Sequence, residues 1–187
     1  MNGKEVQNLS VKERKAMGLG YIPSDRHKDA MVPDFSITEN FLLGYQEDPK
    51  YCKKGFIDYK ALEEDAKVQV EQFEIKIAGV SQHIGQLSGG NQQKVCLAKA
   101  FALQPRFLFV SEPTRGIDVG AKALVLDALK KFNRENGVTV VMISSELEEL
   151  RTTCDRIAIV SGGRIVGILP ATESSETFGA LMVSQVK

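Results

Sequence analysis

The sequence predicts an α/β domain with a mainly parallel sheet, and two observations carry this prediction. Short runs rich in β-branched and other apolar residues occur at residues 18–22, 107–110, 138–143 and 156–160. Between two of these runs, apolar residues recur at helical spacing over residues 121–132. Alternation of strand, helix and strand is typical of a parallel sheet. The continuous apolar strands indicate a sheet that is covered on both faces.

The middle of the chain, residues 29–86, is predicted to be a helical insertion between two parts of this core. Ser36 followed by Glu39 is a capping box, which begins a helix. Residues 60–76 are predicted to form a charged helix with one apolar face. That face consists of Leu62, Ala66, Val70 and Phe73.

The elements after the insertion return to the strand and helix pattern. Gly137 is predicted to end the helix over residues 121–132 as a C-terminal cap. Residues 156–160 and 164–168 flank a Ser-Gly-Gly turn and are predicted to form a hairpin. The α/β core is therefore assigned to residues 1–28 and 87–187.

Composition narrows the possible functions. The chain has 24 Lys and Arg residues against 24 Asp and Glu residues, so its formal charge is zero and no summed positive field would attract nucleic acid. Its three cysteines and two histidines are far apart, which excludes a Cys/His zinc pattern and favours a reducing compartment. No metal-ligating residue is predicted. The apolar runs are much shorter than the roughly 18 residues of a membrane-spanning helix.

One short motif combines the features of a phosphate site. Residues 87–94 read LSGGNQQK and stand directly before a helical pattern. A Ser cap, two glycines that let the backbone approach a ligand, and a helix N-terminus together favour phosphate binding. Most strings of this kind are only capped turns. Here, however, a predicted buried strand at residues 107–110 follows, and then the polar run SEPTRGID at residues 111–118.

These motifs together resemble the ATP-binding subunits of ABC transporters. LSGGN matches the signature motif of that family, FLFVSEP its Walker B strand, and residues 115–118 its D-loop. The resemblance covers nearly the whole chain and implies a P-loop NTPase core of the ABC type with an inserted helical subdomain. More narrowly, SDRHKDAMVPDFSITEN and the ending FGALM resemble the second nucleotide-binding half of tandem ATPases that serve importers of nucleosides and simple sugars.

Several departures from the family pattern imply that this chain alone is inactive. The phosphate-binding loop GxxxxGK[ST], or Walker A motif, does not occur in the sequence, so the core is expected to be incomplete. Ser24 stands at the glutamine-loop position, Ser111 at the Walker B aspartate and Ser145 at the switch histidine. Groups that orient water, metal or phosphate are therefore missing. Glu112 is left as a candidate catalytic base or, equally, as a relic carboxylate at a strand end.

The resemblance also implies which residues meet the nucleotide. The two halves of such ATPases dimerise head to tail, so the signature is expected to contact an ATP that the partner half holds. The residues expected to do so are Ser88, Gly89, Gly90 and Asn91. Asp118 is expected to tie the two halves together or, alternatively, to cap the helix that begins near Val119. ATP with Mg²⁺ is the expected cofactor of the full assembly, without tight binding to this chain alone.

The expected partners are a second nucleotide-binding half, transmembrane permease subunits and, indirectly, a substrate-binding protein. Nucleic acid is not an expected partner. The expected location is peripheral, on the cytoplasmic side of the cell membrane. One alternative is a non-catalytic dimerisation and regulatory half of such an ATPase. Another is a fragment of a DNA-repair ATPase, which the short helical insertion and the balanced charge disfavour.

Overall fold

The computed structural model describes residues 1, 3–46 and 48–183, which form two compact units, Met1–Val141 and Met142–Lys187. The secondary structure elements of these described residues, in chain order, are α1 (Val11–Ala16), β1 (Leu19–Ile22), α2 (Arg26–Asp29), α3 (Ile37–Leu42), β2 (Cys52–Lys53), β3 (Phe56–Ile57), α4 (Tyr59–Gln72), a 3₁₀ turn (Ile84–Gln86), α5 (Gly89–Ala102), β4 (Phe107–Ser111), α6 (Val119–Asn136), β5 (Thr139–Ile143), α7 (Leu147–Thr153), β6 (Arg156–Ser161), β7 (Arg164–Pro170) and α8 (Ser175–Val183).

The main sheet has the strand order β1-β4-β5. Strands β1 and β4 are parallel, with Leu19 opposite Phe107 and Ile22 opposite Val110. Since parallel neighbours need a crossover connection, the chain between them includes the whole middle segment and α5. The predicted positions of β1, β4 and β5 are confirmed to within one residue at each end.

The expectation that this sheet is covered on both faces is wrong for the described residues. Leu108 and Val110 of β4 are fully buried, whereas Phe109 between them is 37% exposed. Its register partner on β1, Tyr21, is 62% exposed. Side chains alternate between the two faces of a strand, and α5 packs against β1. One face of the β1-β4 pair is therefore buried while the other is open.

Helix α6 begins and ends as its sequence predicts. Asp118 caps its N-terminus, and its carboxylate accepts a hydrogen bond from the Ala121 backbone N–H at 2.9 Å. Gly137 follows the last turn with a φ of 66°, a left-handed conformation that glycine adopts without a Cβ clash. Val125 and Leu129 form the buried side of the helix.

The middle segment has its own apolar core, centred on α3, α4 and the first part of α5. The capping box of α3 is confirmed, because Ser36 Oγ accepts from the Glu39 N–H and the Glu39 carboxylate accepts from the Ser36 N–H. Helix α4 ends at Gln72, four residues before the predicted end. The chain turns there through Glu74, which has a φ of 48°.

A short hairpin of β2 and β3 precedes α4 and was not predicted. The boundaries of the helical insertion, 29–86, stay a prediction, because the division into two units falls elsewhere in the chain.

The second unit contains the predicted hairpin. Strands β6 and β7 are antiparallel, with Ser161 opposite Arg164 and Arg156 opposite Pro170, so β7 is two residues longer than predicted. Buried residues of this hairpin pack with Phe178 of α8, which is completely buried. Across the described parts of both units, none of the helices is long and apolar enough to cross a membrane.

Candidate functional site

The signature motif forms a capped helix N-terminus. Ser88 precedes α5 in an extended conformation, and its Oγ accepts hydrogen bonds from the backbone N–H of Asn91 at 3.4 Å and from its Nδ2 at 3.2 Å. Asn91 Oδ1 in turn accepts from the Lys76 N–H at 3.1 Å. We call residues 88–91 the signature loop. The Asn91 side chain is thus bonded within the chain, whereas Ser88 itself is exposed.

Close contacts within this chain favour glycine at both signature positions and require it at Gly90. A Cβ added to Gly89 would lie 3.0 Å from the carbonyl oxygen of Gly116, and one added to Gly90 would lie 2.9 Å from Cβ of Ala121. Real Cβ atoms are essentially never closer than 3.0 Å to such neighbours. The glycines therefore let α5 approach the loop after β4 and the first turn of α6, a role that the sequence did not predict.

Arg26 lies against the signature loop, a contact that the sequence analysis did not predict. Its Nε donates to Oε1 of Gln92 at 3.3 Å, and its Nη1 donates to the carbonyl oxygen of Arg115 at 3.0 Å. Its Nη2 would lie 3.0 Å from a Cβ on Gly89. No local pattern could have revealed this, because its partners are 66 and 89 residues away in sequence.

The loop after β4 carries two further candidates, Glu112 and Asp118. Glu112 directly follows the strand and has a φ of 46°, a left-handed conformation that costs a non-glycine residue energy. The Arg115 N–H donates to the Glu112 carbonyl oxygen at 3.2 Å, which closes a tight turn. Asp118 acts as the cap of α6. Its second expected role, in tying two halves together, stays a prediction.

Ser24 and Ser145 lie in different units. Ser24 is half-buried in the connection between β1 and α2. Ser145 is exposed in the loop between β5 and α7, next to Ser144, whose Oγ donates to a Glu149 carboxylate oxygen at 3.0 Å. Their assignment as degenerate glutamine-loop and switch positions stays a prediction.

The described residues fit phosphate better than they fit a metal ion. The signature loop presents a helix N-terminus, where backbone N–H groups and the helix dipole favour an anion. Across the described residues, no group of three His, Cys, Asp or Glu side chains is placed to hold a metal ion. Ser111 and Glu112 supply one carboxylate at the end of β4, and Mg²⁺ in phosphate sites relies on one or two carboxylates together with phosphate oxygens.

A protein-family model described as ABC transporter matches residues 1–115. The chain belongs to the ABC transporter ATP-binding family. The match includes the signature loop and extends to the loop after β4, so the region with the candidate site of the first unit carries the family pattern.

Curated relatives match this chain over almost its whole length. The nucleoside import ATP-binding protein NupA of Lactococcus lactis is 36% identical over 98% of this chain and 36% of its own. The guanosine import ATP-binding protein NupO of Bacillus subtilis is 35% identical over 100% of this chain and 37% of its own. The ribose import ATP-binding protein RbsA of Lactococcus lactis is 38% identical over 94% of this chain and 35% of its own. The chain thus spans a little over a third of the length of these relatives.

Comparison with a solved structure shows that the chain has the expected fold. The ATP-binding cassette MJ0796, in a dimeric post-hydrolysis state bound to ADP and phosphate, aligns over 93% of this chain and 73% of its own, with a TM-score of 0.71. Its sequence is 22% identical, so the likeness concerns the fold. It confirms the predicted α/β core of the ABC type.

Proposed function

We propose that this chain is part of the ATP-binding component of an ABC importer for nucleosides or simple sugars. The observation that carries the proposal is the match of nearly the entire chain to ATP-binding proteins named for nucleoside, guanosine and ribose import. In such an assembly other subunits select the transported substrate, and this chain forms part of the machinery that couples ATP to transport.

The signature loop contributes contacts to an ATP molecule that a partner nucleotide-binding half binds. Two features support this role: Ser88 is exposed, and the capped N-terminus of α5 is suited to phosphate. A related cassette that is dimeric with ADP and phosphate bound supports a second half as the partner. ATP with Mg²⁺ then binds at the interface of the two halves rather than tightly to this chain alone.

The permease subunits are the second partner, which places the protein at the cytoplasmic side of the membrane, with a substrate-binding protein as an indirect partner. The helical segment 29–86 is the candidate docking element. A surface groove of about 460 Å³ in this segment includes the side chains of Glu39, Tyr59, Glu63 and Lys67. Its lining combines charged and polar side chains with apolar surface in similar proportion, so a partner segment that carries both kinds of side chain fits it.

The test is Ser88→Arg in the intact transporter. A large cationic side chain in place of the cap blocks the approach of a phosphate and removes the bond to the Asn91 N–H, so we expect ATP turnover to fall by about 100-fold or more. Ser10→Arg is the matched control, because Ser10 is also an exposed N-cap, on α1. Turnover close to normal in Ser88→Arg would contradict the proposal.

The second candidate is a non-catalytic half that serves dimerisation and regulation. Ser111 and Ser145, at positions where the family uses an aspartate and a histidine, favour it. Glu112→Gln in the same intact transporter separates the two candidates. Loss of turnover assigns Glu112 as a catalytic base, whereas turnover close to that of the unaltered protein assigns this half a non-catalytic role. Either result is compatible with a signature that acts on the partner's ATP.

A further inference from the structure

We propose that Arg26 is a positioning residue that fixes the signature loop to the turn at Arg115 and Gly116. It thereby sets the geometry with which the loop meets its nucleotide. The effect on nucleotide binding rests on the proposed function of the signature loop. The effect on the geometry of the loop does not, and it can be measured separately.

The first support is the direction of the two Arg26 hydrogen bonds. Nε donates to a side chain on α5, Oε1 of Gln92 at 3.3 Å, while Nη1 donates to a backbone oxygen in the loop after β4, that of Arg115 at 3.0 Å. A guanidinium presents its donors in a rigid planar fork, so the two acceptors are held at a fixed separation. Both acceptors are neutral oxygens, and the link therefore depends on direction more than on charge pairing.

The second support is the set of hydrogen bonds that the Gln92 side chain makes. Its side chain is buried, with 4% exposure, and its Nε2 donates to the carbonyl oxygens of Ile84 at 3.3 Å and Leu87 at 3.2 Å. These oxygens belong to the chain that enters the signature loop. A buried amide whose oxygen and nitrogen are both bonded is held in one orientation. Arg26 therefore holds the Gln92 amide, which in turn fixes the backbone that leads into the signature loop.

The third support is how closely the backbones meet. Gly89 approaches Gly116 so closely that an added Cβ would lie 3.0 Å both from the Gly116 oxygen and from Nη2 of Arg26. The guanidinium thus packs directly over the signature loop at the point where it contacts the neighbouring turn. A displacement of that turn moves the loop, and Arg26 is bonded to both sides of the contact.

The N-cap of α2 fixes the backbone position of Arg26. Asp25 is the N-cap of this short helix, and its carboxylate accepts from the backbone N–H groups of His27 and Lys28, both at 3.1 Å. The cap settles the backbone of α2. Since Arg26 is the first residue of the helix, its side chain leaves from a defined position toward α5.

The first experiment measures the local effect in this chain by amide hydrogen exchange. In Arg26→Gln and in Arg26→Lys we expect exchange at residues 88–91 and 115–118 to rise by about tenfold, because one ammonium group cannot replace two bonds from a planar fork. Lys28→Gln, which removes a charge from the same helix, is the matched control and should leave exchange unchanged. Thermal unfolding of each variant verifies that the fold is retained.

Two results would overturn the proposal. One is unchanged exchange in either segment of Arg26→Gln. The other is full recovery of the original exchange in Arg26→Lys, which would mean that only positive charge is needed. Faster exchange in both segments of both variants, with the rest of the chain unaffected, supports it.

The second experiment measures the consequence in the intact transporter. We expect Arg26→Lys to raise the apparent KM for ATP by about fivefold or more while kcat changes by less than about twofold, because a misplaced loop weakens binding of the nucleotide. A KM that matches that of the Lys28→Gln control would overturn the nucleotide half of the proposal. Ser88→Arg tests the signature itself, so a normal turnover there counts against the proposed function and leaves the exchange result standing.

Discussion

Glu112 shows how a single residue can be held in an unfavourable backbone conformation at the end of a strand. Its φ of 46° lies in the left-handed region, which costs an L-residue with a Cβ roughly 1–2 kcal/mol. Residues in such conformations cluster in functional loops, where the surroundings fix them. The conformation therefore strengthens the case that the loop after β4 is shaped for a role other than stability.

We expect Glu112→Gly to be more stable than Glu112→Ala by about 1 kcal/mol. Both substitutions remove the carboxylate and its interactions, so the difference between them reports only the backbone conformation. The measurement is urea-induced unfolding. Ser111→Gly and Ser111→Ala are the control pair, and the order should reverse there because Ser111 belongs to β4, where glycine is the worse residue. Equal stabilities at position 112 would contradict the prediction.

The individual site residues were predictable where their partners are close in sequence. Ser88 as a cap and Asp118 as a cap follow from residue type and from the helical pattern three residues on. Arg26 could not be found, because its acceptors lie on elements that only the folded chain brings together. The same holds for Gly89. Glycine is favoured there because the carbonyl oxygen of Gly116, which is distant in sequence, leaves little room for a side chain.

Among the secondary structure elements, those with explicit signals at their ends were predicted best. The helix α3 has a capping box, and α6 has both a capping aspartate and a terminal glycine. Helix α4 has no glycine or proline at its end, and its last turn was placed too far along the chain. The open face of β4 was missed because an apolar residue such as Phe109 has the same strand pattern whether or not a neighbour covers it.

We expect Gly137→Ala to destabilise the chain by about 1 kcal/mol. Nothing lies within 4 Å of an added Cβ at this position, so the cost comes from forcing alanine into a φ of 66° at the end of α6. Asn136→Ala, one residue earlier and inside the helix, is the control. It should be neutral or slightly stabilising, because alanine is the better helix former.

Urea unfolding measures both variants at α6. If Gly137→Ala has the same free energy of unfolding as the unaltered chain, the backbone at the end of α6 can change conformation without a loss of stability. The terminal bond from the Gly137 N–H to the Asn133 oxygen, 3.1 Å long, would then not require the left-handed residue.

For the molecule as a whole, the sequence predicted the α/β class and the parallel sheet but not the exposure of its faces. The class follows from alternating strand and helix patterns, which are local. The exposure follows from which segments pack on the sheet, and Tyr21 and Phe109 lie on a face that the described residues leave open. Since the chain spans about a third of the length of its curated relatives, we interpret this exposure only as a property of this chain.

One group in the interior of the first unit couples overall stability to pH. The pKa of Lys99 is lowered to about 8, mainly by burial; Cys96 opposes this shift and the neighbouring Lys15 adds to it. The Lys99 ammonium donates to the Ala30 carbonyl oxygen at 3.3 Å and lies 6.0 Å from the centre of the Tyr45 ring. The pKa of the buried Cys96 thiol is raised to about 11.

The sign of the Lys99 contribution follows from proton binding. A lysine in the unfolded chain keeps its proton up to a pKa of about 10.4, whereas Lys99 in the fold loses it near pH 8. Above pH 8 the unfolded chain therefore binds more protons, and the free energy of unfolding rises with pH. Cys96 acts in the opposite direction once an unfolded thiol ionises near pH 9, because its raised pKa stabilises the fold only at lower pH.

The window in which Lys99 titrates ahead of the unfolded thiols is thus about pH 7–8. We expect the slope of unfolding free energy against pH in this window to become less positive in Lys99→Met, since methionine keeps an apolar stem of similar length without the titrating group. Lys131→Met, at an exposed position of α6, should leave the slope unaltered. Urea unfolding at closely spaced pH values measures both. An identical slope in Lys99→Met and the unaltered chain would mean that water reaches the ammonium group in the fold, because desolvation is the largest cause of its lowered pKa.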